Sequence, residues 1–188
     1  RVVAVAHAPL GIEELDLAHE KTGFSAKTYF LPYQETLSTY TFTGADWEQA
    51  IRYRIQPRAI VGLHPCDLNG LLKLDKVFLR DNFPSPYYKS RRANTLIVGI
   101  DHEPCEDGFC TAVGANTVTH GFDLFLTDLG EQYFVAINSD RGFNLLQKIE
   151  TGPVTDETTH LYLTAKRRIQ EKFKTELSVE NLPNLLDL

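Results

Sequence analysis

The stretch that decides the fold is RAIVGLHPCDLNGLLKLDKVFL, residues 58–79. Its first six residues, Arg58 to Leu63, are apolar without alternation, as in a strand buried on both faces. After His64, Pro65 and Cys66, the leucines recur at three- and four-residue spacing, which predicts a helix with Asp67 as its cap. A second continuous apolar run, TLIVGI, follows at residues 95–100. The order is β-α-β, and such a crossover joins parallel strands in a right-handed sense. The loops after Leu63 and Ile100 then lie at one edge of the sheet, where open α/β sheets place their ligands.

Further elements follow from the same reading. VVAVA (Val2 to Ala6) is a strand candidate, IEELDLAHEK (Ile12 to Lys21) a helix and KTYFLP (Lys27 to Pro32) an extended segment. DWEQAIRYRI (Asp46 to Ile55) has helical spacing behind an aspartate cap, and PYYKSRRAN forms a turn or short helix. FDLFLTDLG and EQYFVAINS make an antiparallel hairpin that closes the sheet. DRGFNLLQKI and DETTHLYLTAKRRIQEKFKTEL are helices, the latter with acids first and bases later, as the helix dipole favours. The expected architecture is α/β: a mixed sheet with a parallel β-α-β core and an antiparallel hairpin.

A length of 188 residues, 43% of them hydrophobic, suits a single α/β domain over 1–188, with room for a small N-terminal subregion at 1–43. The net charge of -6 disfavours nucleic acid and anionic membrane surfaces as partners. No apolar run is long enough to span a bilayer and no signal peptide is visible, so the chain reads as soluble and cytoplasmic. It starts at Arg1 and contains no methionine, which points to a fragment of a longer subunit.

All three cysteines fall in the two loops of the shared edge: Cys66 in the first, Cys105 and Cys110 in the second. Cys66 precedes a helix start, where the dipole is expected to lower its pKa. Asp67, Asp101, His102, Glu106 and His64 stand beside them as further donors. From spacing alone, the thiols fit reduced packing residues, an iron-sulfur site short of one thiolate, or a Cys3His zinc site with His64 or His102. Histidines flanking a turn are more often simply hydrogen-bonded there. Arg91 and Arg92 read as a solvated helix face, or less readily as an anion site. No glycine-rich nucleotide fingerprint, GxSxG elbow or HExxH is present.

FLPYQETLSTYTF, AIVGLHPCDLNGLLKLDKVFL, YYKSRRANTLIVGIDHEPCEDGFC and GFDLFLTDLGEQYFVAINSDRG occur in this order between about Lys27 and Gly142. Together they resemble the beta subunits of cytoplasmic hydrogenases (sulfhydrogenases) and the A subunit of anaerobic sulfite reductase. The resemblance implies an electron-transfer subunit working between a flavin-containing diaphorase partner and a catalytic redox partner. In that family the corresponding region precedes a domain binding two [4Fe-4S] clusters, and no such cysteine run occurs here. The resemblance further implies that Cys66, Cys105 and Cys110 hold an iron-sulfur cluster of the [4Fe-4S] type, with Asp67 as the first candidate for a fourth, oxygen ligand. Relatives often carry Arg where His64 stands and more cysteines near His102 to Cys110, so the set here departs from four thiolates.

Overall fold

The structure is a computed structural model that describes residues 2–4, 17, 25–53, 56–80 and 82–174. Two continuous apolar strands lie side by side at its centre, β4 (Arg58–Leu63) and β5 (Thr95–Ile100), paired in parallel. On one flank, β1 (Val2–Ala4) runs parallel to β4. On the other, β6 (Leu124–Asp128) is parallel to β5, and β7 (Tyr133–Ile137) closes the sheet antiparallel to β6. The sheet order is β1-β4-β5-β6-β7. The parallel core and the closing hairpin are as the sequence implies.

Helix α1 (Pro65–Phe78) follows β4 and packs Leu68 and Leu71 onto the sheet, where they meet Phe30, Ile60, Leu63, Tyr88, Ile97 and Phe125 in the core. It begins three residues earlier than an Asp67 cap requires. His64 is the N-cap, and Pro65, whose fixed φ suits a first helical residue, starts the helix. Gly62, at φ +86°, sits inside β4 where the β4–β5 register shifts, a backbone conformation that favours glycine.

Helix α2 (Pro86–Ala93) has Ser85 as its cap. Arg91 on this helix is buried, contrary to the solvated face read from the sequence. It pairs with Glu35 and donates to the Phe30 carbonyl at 2.6 Å. Arg92 pairs with Asp75 of α1 at 3.1 Å, and the Tyr88 hydroxyl donates to the same carboxylate at 2.6 Å. Both arginines are therefore internal clamps rather than an anion site.

Two segments differ from their sequence reading. Residues 46–51 form strand β3 (Asp46–Ile51), not a helix, paired with β2 (Ser38–Thr43) in a separate antiparallel hairpin. Ala26–Tyr29 is a 3-10 turn rather than extended chain; the Ser25 hydroxyl caps it and Phe30 behind it is buried in the core. Helices α3 (Asp140–Leu146) and α4 (Asp156–Lys172) form within the two segments read as helices. The helix expected at 12–21 and the segment after 174 lie outside the described residues. No helix among the described residues is long and apolar enough to cross a membrane.

Candidate metal centre

The parallel pairing of β4 and β5 brings the two cysteine loops together. Cys66 is the second residue of α1, held just beyond β4. His102 stands two residues past the end of β5, and Cys110 opens a 3-10 turn, Cys110–Val113. One donor atom from each of Cys66, His102 and Cys110 lies within 4.8 Å of the other two. Cys105 and Asp67 are not members of this group. Cys105 is half-buried, with its sulfur folded back over its own turn, 3.0 Å from where a side chain on Gly108 would begin. Asp67 sits in the first turn of α1, within electrostatic reach of His64 and Lys27.

The surroundings pin this arrangement. Asn69 Nδ2 donates to the carbonyls of Pro65 (2.9 Å) and Thr117 (2.8 Å), tying the start of α1 to the chain beyond Cys110. Asp101 is buried and accepts from Thr127 Oγ1 (2.6 Å) and Lys166 Nζ (2.7 Å), which fixes the loop after β5 against β6 and α4. The His102 ring stacks on His64, with centroids 4.2 Å apart and planes 7° from parallel, and Phe173 meets it edge-on at 5.7 Å. His102 Nδ1 is buried without a hydrogen-bond partner.

Burial at the site disfavours the charged forms of its titratable groups. Burial pushes the Cys66 thiol up to about 12, helped by the Asp67 carboxylate and by Cys110, against the lowering effect of the Asp67 backbone N–H. This corrects the expectation of a lowered pKa: the helix amide acts as foreseen, but burial, with Asp67 and Cys110 beside the thiol, outweighs it. Burial also raises the Asp67 carboxyl, opposed by His64 and Lys27. His102 is held down to about 4, first by burial and then by His64, so its ring is neutral. A bound cation inverts this logic, because it deprotonates a coordinating thiol outright.

The donor set fits a soft or borderline metal: two sulfurs and the neutral His102 imidazole, whose buried Nδ1 has no hydrogen-bond partner. A cleft of about 650 Å³ opens onto Cys66 and Cys110, with Lys27, Lys73, Lys76 and His120 among its walls. Sequence reading had placed the three thiols at this edge and had His102 only as one of several donors. The signal it lacked was the packing of the His102 ring, its face on His64 and Phe173 meeting it edge-on, which no spacing reveals.

Over most of its length this α/β chain is similar in sequence to a hydrogenase beta subunit. The relative that shows this is sulfhydrogenase 2 subunit beta of Pyrococcus furiosus, 32% identical over 184 residues, or 94% of this chain. The chain spans about half of that relative's length, 52%. No protein-family model matches the chain, and no solved structure does.

Proposed function

We propose that this chain is an electron-transfer domain of a hydrogenase-like oxidoreductase complex, and that it holds an iron-sulfur cluster at the edge where β4 and β5 end. The observation that carries this reading is the meeting of Cys66 and Cys110, from loops on two different strands, in a relative of a hydrogenase subunit. Thiolates are the ligands on which such clusters are built. Cys66 and Cys110 are the anchoring pair, Cys105 is the third thiol, on the loop of Cys110, and Asp67 is the carboxylate next to Cys66 in the chain. The domain makes and breaks no substrate bond. It sets the cluster's potential through burial and hydrogen bonding and places it within reach of partner cofactors. Those partners are a flavin-containing diaphorase subunit and a catalytic redox subunit.

The test is anaerobic purification with iron, sulfide and zinc assays and an EPR spectrum of the reduced protein. Near-equal iron and sulfide with a cluster signal supports the reading. Cys66→Ser should then remove most of the iron while the circular dichroism stays that of the folded domain; unchanged iron in that variant would sink it.

Two observations favour other roles for the same chain. Three donors within 4.8 Å are close to the spacing around a single tetrahedral ion, about 3.5–3.8 Å given metal–ligand bonds of roughly 2.0–2.3 Å. That favours a zinc-bearing structural domain, which the zinc assay separates from a cluster. The β2–β3 hairpin also turns Tyr40, Phe42, Trp47 and Ile51 to one face, all exposed, Phe42 by 77%. An apolar face of this kind suits subunit docking, and it stands alone as the function if neither iron nor zinc binds.

A further inference from the structure

We infer that His102, through an imidazole nitrogen, is a protein ligand of the centre begun by Cys66 and Cys110, making that centre a mixed sulfur–nitrogen one. The inference rests on the reading above that this edge binds a metal, and it changes the ligand set that the loops' composition suggests. Asp67 and Cys105 have the right chemistry, but neither has a donor atom in the group that His102 joins.

Three features of the ring point the same way. Its donor atom is within 4.8 Å of both sulfurs. Its Nδ1 is buried and makes no hydrogen bond, whereas a buried polar atom in a folded protein nearly always has a partner. Its orientation is fixed by faces and edges, His64 stacked at 4.2 Å and Phe173 edge-on at 5.7 Å. A histidine serving only as a turn residue is usually held by hydrogen bonds from its ring, and this one is held by its neighbours' rings instead. The loop that carries it is anchored at Asp101 by Lys166 and Thr127, so His102 has little freedom to swing away from the thiols.

The consequence is electronic. A neutral imidazole in place of a thiolate removes one negative charge from the ligand shell, so the reduced state is less disfavoured. Histidine ligation raises the potential of an iron-sulfur centre for this reason. The centre in this chain is thereby tuned above one with thiolates alone.

The experiment is anaerobic reconstitution of the purified chain with iron and sulfide, metal analysis, and pulsed EPR of the reduced state with and without ¹⁵N-histidine labelling. The expected result is a nitrogen coupling of directly bound strength that changes with the label. His102→Cys should abolish that coupling and lower the midpoint potential while iron content holds. A cluster with no strongly coupled nitrogen, and the same midpoint in His102→Cys, overturns the ligand assignment and leaves the iron-sulfur reading standing. If the chain takes zinc and no iron, the iron-sulfur reading fails and His102 is judged separately. Zinc stoichiometry that falls in His102→Ala as it does in Cys66→Ser upholds the ligand, and unchanged zinc overturns it. Uptake of neither metal overturns both. Far-UV circular dichroism of each variant distinguishes ligand loss from unfolding.

Discussion

At the scale of single residues, the metal-free site is held together by groups kept in their neutral forms, and that has a pH signature. His102 titrates near 6.5 in an unfolded chain and at about 4 when folded, because burial and His64 oppose its protonation. The unfolded chain therefore binds the extra proton first, and folding stability falls as pH drops from about 6.5 to about 4. Asp67 works the other way, since its raised carboxyl pKa makes ionisation costlier in the folded state as pH rises above 3.8. Urea denaturation of the metal-free protein should isolate the histidine: wild type loses stability relative to His102→Gln across that window, and parallel pH profiles would contradict it. Arg91 gives a second prediction independent of any metal. Its truncation leaves Glu35 without its ion-pair partner and the Phe30 carbonyl without its donor. We expect Arg91→Ala to cost about 3 kcal/mol in urea titration, the lower end for breaking a buried pair because Glu35 is partly open to solvent. From sequence, the arginines looked like solvent-facing charges, because burial of a long cation depends on a carboxylate 56 residues away.

At the scale of elements, the site depends on how closely α1 lies on β5. Gly99 is the contact point: a Cβ there would stand 2.5 Å from Phe125 Cδ2 and 2.9 Å from Leu68 Cδ1. Gly99→Ala must displace the Phe125 ring and the Leu68 side chain, or else push α1, which carries Cys66, off the strand that leads to His102. A loss of about 1–3 kcal/mol is expected from such overpacking, with weakened metal uptake beside it. Thermal melting together with metal titration checks both; an alanine variant with native stability would show that Phe125 and Leu68 can move aside. The strands and helices of this core were readable in advance because their signals are local: continuous apolar runs and leucine spacing. The β2–β3 hairpin was not. Trp47, Ala50 and Ile51 satisfy a helical spacing, while Trp47, Gln49 and Ile51 equally satisfy the alternation of a strand. What decides between them is pairing with Tyr40 and Phe42 across the Gly44 turn, φ +70°, a contact that one segment read alone does not contain.

At the scale of the whole molecule, the candidate centre sits where three separately folded pieces meet: the start of α1, the chain leaving β5, and the turn at Cys110. Topology alone predicted that the cysteine loops share an edge, because two parallel strands must end on the same side. Which atoms converge there depends on α4, whose Lys166 and whose following residue Phe173 reach back to Asp101 and His102. The topology is why Cys66, Cys105 and Cys110 were anticipated at one edge, and that long-range packing is why the place of His102 was not. A metal joining three pieces that come together only on folding binds the native state and not the unfolded chain. Its binding energy is then added to folding stability, about 2.7 kcal/mol at a free metal concentration one hundred times Kd. Calorimetry should accordingly find a melting temperature that rises on loading and falls when a chelator is added. In Cys66→Ser, both responses should disappear while the metal-free melting temperature stays close to that of the metal-free parent. A chelator response that persists in Cys66→Ser would place the metal elsewhere in the chain and detach the convergence of these loops from the protein's stability.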